Sequence, residues 1–250
     1  MTFHQYLPLS FKNFIQFHFI GPKIEPVGPV PLSRYSQGGE DIIILQILRN
    51  YDLMKRNGFF VDVGAFHPYA DSNTFILYTR GWRGINIDAR PNSMIAFNKY
   101  RPEDINLEIG ISKLNSVLDF YYFDDNSTMN SFSKEYLESI GMMKNVNKVL
   151  QIKTSTLKDV LQNQTIPADG IDYLNIDAEG LDLEVINSND FERFRPKVIS
   201  VEVSAINTVE DVCSSETYKE LQRLGYICVA KNFILKSVAT LFFVDKALNT

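Results

Sequence analysis

The 250-residue sequence is short of cysteine, with 2, and of tryptophan, with 1. Cys213 and Cys228 show no CxxC spacing and have no third thiol, which excludes a disulfide scaffold and a thiolate zinc site. Free thiols in a reducing cytoplasm are expected instead. A basic excess is also missing: 25 Lys+Arg stand against 30 Asp+Glu, for a net charge of −5. Broad contact with nucleic acid or an anionic membrane needs the opposite balance, so no nucleic-acid partner is expected. No apolar run approaches the ~18–20 residues of a spanning helix, so no transmembrane segment is expected. The first residues lack a basic stretch leading into a purely apolar one. A secretory signal is therefore not expected, and the expected location is the cytoplasm. Glycine, with 13, and proline, with 10, are too few for a collagen-like or low-complexity chain.

What remains is 45 % apolar and 22 % charged residues, the mix of an ordinary globular chain long enough to bury a core without crosslinks. Residues 1–33 hold Phe11, Phe14, Phe17 and Phe19, then Pro22, Pro26, Pro29 and Pro31. The prolines exclude helix over 21–31, which reads as an extended linker, while the phenylalanines suit a short helix or strap. Together residues 1–33 read as an aromatic and proline-rich strap packed on the body or on a partner subunit. A homo-oligomer stays open on that ground. Residues 34–250 read as one α/β domain of ordinary size.

Within that domain strands alternate with helices. A helix over 40–50 precedes a buried strand over 58–66. Ser72 and Asn73 cap a helix over 74–80, and Gly81 stops it. A second strand covers 84–89, and Pro91 opens a helix running to Tyr100. The third strand covers 105–112, the fourth 171–178 and the fifth 197–203. Thr156 and Asp159 form a capping box ahead of Leu157, and helices are expected over 181–187 and 216–224. A final strand pair, 226–231 with 240–244, ends the pattern. Trp82 reads as core. This alternation predicts a mostly parallel sheet with helices on both faces. In such sheets ligands bind at the carboxyl ends of the strands, beside the point where strand order reverses.

Polar residues gather at those ends. The first strand finishes in Val61-Asp62-Val63-Gly64, where a glycine lets the backbone turn sharply and approach a ligand. The second ends in Asp88, placed to accept both hydroxyls of a ribose. The loop is not GxGxxG, because His67 and Pro68 stand where a second glycine would sit. A pyrophosphate needs backbone amides at a glycine-rich helix start, so NAD(P) is disfavoured and a nucleoside cofactor without phosphates preferred.

Several segments then recur in one order: Ser36-Gln37-Gly38-Gly39-Glu40-Asp41, Phe60 to Pro68, Ser72-Asn73-Thr74, Gly81 to Asp88, and Asp177-Ala178-Glu179-Gly180. Together, over roughly residues 33–203, they resemble the FkbM-type family of S-adenosylmethionine-dependent methyltransferases. The resemblance implies a Rossmann-like class I methyltransferase fold: seven strands, mostly parallel, with a terminal antiparallel strand. It implies S-adenosyl-L-methionine as cofactor and a hydroxyl of a sugar, glycan or secondary metabolite as acceptor. Expected cofactor contacts are Gln37, Glu40, Asp41, Asp62, Gly64, Ala65, Phe66, Ser72, Asn73, Asp88, Ala89, Gly110, Ile111 and Asp177. The chain departs from the commoner family loop, Gly-Ala-Asn-x-Gly, by having Phe66-His67-Pro68 there. The bland reading of Glu40 and Asp41 is helix capping.

Methyl transfer to an alcohol needs the hydroxyl proton removed, by a base or by a metal that stabilises the alkoxide. Asp177, His67 and Glu202 are the catalytic candidates. Asp177 and Glu202 also follow the pattern of acidic ligands after strands four and five in metal-dependent relatives of this fold, where Mg²⁺ would suit them. Residues 113–148 form an insert whose Tyr121 to Ser131 stretch suits a sugar-like acceptor, and suits a surface lobe equally. Other readings are methyl transfer to a protein, lipid or nucleic acid, or a non-catalytic Rossmann-like binding protein.

Overall fold

The computed structural model describes residues 34–54, 57–235 and 237–249, and the strap expected over 1–33 lies outside them. In chain order its first elements are α1 (Glu40–Asn50), β1 (Phe59–Val63), α2 (Phe75–Tyr78), β2 (Arg83–Asp88), α3 (Ser93–Tyr100), β3 (Ile105–Glu108), β4 (Gly110–Ile111) and β5 (Ser116–Tyr122). Then come α4 (Lys134–Ser139), β6 (Lys148–Ser155), α5 (Leu157–Gln162), β7 (Tyr173–Ile176), α6 (Asp182–Asn187), β8 (Val198–Ser204), α7 (Glu210–Ser214), α8 (Glu216–Arg223), β9 (Tyr226–Leu235) and β10 (Val238–Asp245).

Seven strands form one sheet in the order β3-β2-β1-β7-β8-β10-β9. β1, β2, β3, β7 and β8 are parallel, and β10 runs antiparallel to both its neighbours. The side-chain period of two decides the layers. Phe59, Val61 and Val63 of β1 point to the face covered by α5, α6 and α8, together with Leu174, Ile176, Ile199 and Val201. Phe60, Tyr173, Val198 and Phe242 point the other way, onto Ile44 and Leu48 of α1 and the buried Trp82. Helices therefore cover both faces, as the alternation requires.

Local chemistry sets the helix starts. The Thr156 hydroxyl accepts the Asp159 amide at 3.0 Å, and Ser215 accepts that of Tyr218 at 3.2 Å. α3 begins at Ser93 and not at Pro91, because Asn92 takes a left-handed φ of 66° and delays the first turn. The helix expected over 74–80 is shorter, Phe75–Tyr78.

The expected third strand is two strands in two sheets. After Glu108 the Ile109 amide bonds the Asp88 carbonyl at 3.0 Å, and the chain then leaves the main sheet. Gly110 and Ile111 pair with Thr154 and Ser155 in a separate three-stranded sheet, β4-β6-β5. Gly110 permits this, since a Cβ there would sit 2.5 Å from the Phe132 ring. β5 and β6 pair antiparallel across a long connection, and α4 lies within it. Cys213 and Cys228 are free thiols. No helix among the described residues is long and apolar enough to cross a membrane.

One glycine holds the switch point. Gly64 has φ +80°, and a Cβ on it would lie 1.7 Å from the Asp177 carbonyl oxygen. Gly64→Ala is expected to destabilise the fold by about 3 kcal/mol or more, from strain and overpacking together. Gly170→Ala, at φ +78° but in open space, is expected to cost only about 1 kcal/mol. Urea denaturation of the two variants checks this, and equal losses would contradict it.

Candidate active site

Where β1 parts from its neighbours, a cleft of ≈ 140 Å³ opens at the carboxyl ends of the strands. One wall is the loop after β1. The amides of Gly64 and Ala65 both reach the Ile87 carbonyl, at 2.9 and 3.0 Å, so the loop folds over the end of β2. Phe66 and Asp71 take left-handed φ values of 52° and 48°, a strained geometry for residues with side chains. Asp88 holds that loop in place. Its Oδ2 accepts the Phe66 amide at 2.9 Å and its Oδ1 the Arg90 amide at 2.8 Å. An ionised carboxylate has about four acceptor positions, so two remain for hydroxyl donors in the cleft. Burial raises the Asp88 pKa.

The floor is a polar network. Asp62 is buried and accepts the Thr74 hydroxyl at 2.6 Å and the Asn175 amide at 2.9 Å. Asn175 in turn accepts the Asn73 amide at 3.1 Å and the Ser200 hydroxyl at 2.6 Å. Arg101 lies fully buried beneath, donating to Asp104 at 2.8 Å and to Thr74 at 3.0 Å.

The opposite end is acidic. Asp177, Glu179 and Glu202 line the cleft, with Glu40 nearby. Burial first, then repulsion among Asp177, Glu179, Asp182 and Glu202, holds these carboxyls well above the usual range. Asp177 is pushed up to about 8, and Asp182, raised by burial, to about 6. The third wall comes from the insert: Phe120, Ser127, Met129, Asn130, Phe132 and Tyr136.

Of the residues singled out from sequence, Gln37, Glu40, Gly64, Phe66, Asn73, Asp88, Ala89, Gly110, Ile111, Asp177 and Glu202 line this one cleft. Five others do not. Asp41, in the first turn of α1, ties down the segment before the helix, accepting the Tyr35 amide at 2.7 Å and the Ser36 hydroxyl at 2.8 Å. Asp62 is consumed by the floor network. Ser72 caps α2 through the Phe75 amide at 3.1 Å. Ala65 is buried against Met94 and Phe97. His67 turns its Nδ1 to the amides of Ala70, at 3.1 Å, and Tyr69, at 3.4 Å. An imidazole accepting on Nδ1 carries its proton on Nε2, so in this state it has no free nitrogen to act as base. Burial and the charge of Arg90 lower its pKa and favour that neutral form.

The expected Mg²⁺ at Asp177 and Glu202 is not supported. Among the described residues no group of three or more His, Cys, Asp or Glu side chains is arranged to hold a metal ion. Sequence reasoning missed Tyr136 and Arg90, whereas Asn130 falls in the insert stretch expected to suit an acceptor. Only the folding of the insert brings Tyr136 to the strand ends.

This strand order, with its antiparallel β10 and a ligand cleft at the switch point, defines a class I methyltransferase fold. The model of the Methyltransferase FkbM domain matches residues 62–228. The chain belongs to that family of S-adenosylmethionine-dependent methyltransferases. Among solved structures it is similar to the methyltransferase FkbM of Methylobacillus flagellatus KT, at 13% identity and TM-score 0.46, covering 77% of this chain and 45% of that one. It thus spans less than half of that protein. A TehB-like SAM-dependent methyltransferase of Corynebacterium glutamicum matches at 11% identity and TM-score 0.43, over 86% of this chain and 90% of that one. TrmK of M. capricolum, solved with S-adenosyl-homocysteine, matches at 13% identity and TM-score 0.38, over 80% and 67% of the two chains. No curated protein matches in sequence.

The raised carboxyls set a pH dependence. In the unfolded chain Asp177 and Asp182 ionise near 3.8, whereas folded they hold protons to about 8 and about 6. The native state then binds more protons than the unfolded one, so ligand-free stability falls as pH rises through that window. Thermal melts between about pH 5 and pH 8 are expected to show a falling Tm, flattened in Asp177→Asn. A Tm that climbs across the window, or an unchanged slope in the variant, would contradict the cluster's electrostatics.

Proposed function

We propose that the protein is an S-adenosylmethionine-dependent O-methyltransferase whose acceptor is a hydroxyl of a sugar, glycan or secondary metabolite. One observation carries the reading. A single cleft has hydroxyl-accepting Asp88 at one end and the carboxyls of Asp177 and Glu202 at the other, with a wall of aromatic and small polar side chains between. The two remaining acceptor positions of Asp88 suit the ribose hydroxyls. The apolar side chains of Ile87, Ile109 and Ile111 suit the flat adenine. When bound, S-adenosylmethionine supplies a methyl group on a sulfonium, ready for in-line displacement.

The protein's own part is then chiefly positioning and charge. Asp177 and Glu202 face the region where a cationic centre would be held, and a positive charge there favours their ionised forms. The insert wall, with Ser127, Asn130 and the mutually tilted Phe120 and Phe132 rings (centroids 4.8 Å apart, planes at 55°), suits a small polyhydroxylated acceptor. The loop after β1 lacks the glycine-rich cradle for a pyrophosphate, which argues against a dinucleotide.

Calorimetry is expected to find S-adenosylmethionine and S-adenosylhomocysteine bound with micromolar dissociation constants, and NAD not bound. Asp88→Ala is expected to weaken both about tenfold or more while the far-ultraviolet spectrum stays unchanged. Heatless titrations with both ligands would remove the methyltransferase reading, and an unaltered Asp88→Ala affinity would remove Asp88 from the ribose site.

A further inference from the structure

Glu179 belongs to the same cleft, yet its backbone is unlike that of Asp88, Asp177 and Glu202. It takes a left-handed φ of 47°, and three contacts hold it there. The Ser131 hydroxyl donates to its carbonyl at 2.6 Å, and Asp182 brackets it by accepting the Ala178 amide at 2.8 Å and the Gly180 amide at 3.2 Å. Strain of this kind persists only where the surroundings over-determine it, and it concentrates at functional sites.

The next residue lets the insert close on it. Gly180 has φ +98°, and a Cβ there would lie 2.9 Å from the Tyr136 Cβ. With no side chain at 180, α4 settles against the loop and places Tyr136 beside Glu179 in the cleft wall. α4 is itself fixed at its start, where the Ser133 hydroxyl accepts the Tyr136 amide at 3.1 Å. The cleft carboxyls thus fall on two sides. The backbone of Asp177 is pressed against Gly64 of the loop after β1, whereas Glu179 stands against Ser131 and Tyr136 of the insert.

We propose that Glu179 is the catalytic base that takes the proton from the acceptor hydroxyl, and that Tyr136 is the positioning residue that aims its carboxylate. The inference rests on the O-methyl-transfer reading and sharpens it. As the acceptor oxygen forms its bond to the methyl carbon, the sulfonium S–CH₃ bond breaks and its electron pair stays on sulfur. The O–H proton passes to a Glu179 oxygen and then to solvent. The products are a methyl ether and the neutral thioether S-adenosylhomocysteine. Tyr136 does not compete for the proton, because burial and the neighbouring Glu179, Glu202 and Asp177 keep its hydroxyl protonated. A protonated hydroxyl beside Glu179 favours its carboxylate form, and a cation in the cleft acts in the same direction.

The test uses the full chain, labelled S-adenosylmethionine, and a panel of methyl glycosides and short oligosaccharides, with methylated product detected by mass spectrometry. Glu179→Gln, which keeps shape and hydrogen bonding, is expected to lower kcat by about 100-fold or more. Its dissociation constant for S-adenosylhomocysteine should stay within about twofold of the original protein. Tyr136→Phe is expected to lower kcat/KM by about tenfold and move the acidic limb of the pH profile upward, because the carboxylate loses the polar hydroxyl beside it. Near-normal kcat in Glu179→Gln, or loss of S-adenosylhomocysteine binding with it, would overturn the base assignment alone. An unmoved pH profile in Tyr136→Phe would reduce Tyr136 to a structural role. If the unaltered protein binds S-adenosylmethionine but methylates no hydroxyl probe, the O-methyl reading fails, and the base assignment with it.

Discussion

The site depends on a close crossing of two backbones. Gly64 turns at the end of β1 with φ +80°, in space where any Cβ would strike the Asp177 carbonyl. Because it fits, the chain after β1 turns away toward β2 through the Ile87 carbonyl, while the chain after β7 comes in from the other side. The Asp177 amide still reaches the Val63 carbonyl at 2.9 Å, so the two strands stay paired up to the turn. The cleft is the gap left where these two loops part. Asp88 closes the first loop and Asp182 the second, each by accepting two backbone amides.

Beneath that crossing the protein buries charge where apolar packing would be simpler. Asp62, Thr74, Arg101 and Asp104 form a continuous chain of hydrogen bonds under the cleft, joined through Asn175 to Asn73 in its wall. A buried ion pair such as Arg101–Asp104 adds little net stability against a hydrophobic replacement, but breaking one partner costs about 3–5 kcal/mol. Its use here is geometric. Directional bonds fix the strand ends to one arrangement, which a fluid apolar contact would not. The hydrogen-bonded floor contrasts with the upper end of the cleft, where burial and mutual repulsion raise the carboxyl pKa values. In the proposed reading a positively charged ligand draws these carboxyls into their ionised forms.

Much of this was readable in the sequence. α1 over residues 40–50, the two strand ends at Gly64 and Asp88, the Thr156 cap and the final antiparallel pair all follow from local periodicity and turn chemistry. The strand-end rule pointed to Asp177 and Glu202, and the family resemblance added Gln37, Glu40, Asn73 and Gly110; all six line one cleft. What sequence could not supply was which polar groups the fold itself consumes. Asp41, Asp62, Ser72 and His67 look like ligand residues until their backbone and side-chain partners are known. The insert was opaque for a different reason. β5 and β6 pair across a long connection, so no short turn announces them. Tyr136 and Glu179 meet only through the collapse of that segment onto Gly180.

The central claim is that this cleft holds S-adenosylmethionine in one orientation, with its ribose on Asp88 and its charged end at the acidic cluster. A crystal structure of the protein with S-adenosylhomocysteine tests it most directly. The account predicts both ribose hydroxyls within hydrogen-bond distance of the Asp88 carboxylate. It also predicts adenine beside Ile109 and Ile111, and the sulfur between Asp177 and the insert wall. A reversed ligand, with adenine at Asp177 and Glu202, or one bound outside the cleft, would contradict it.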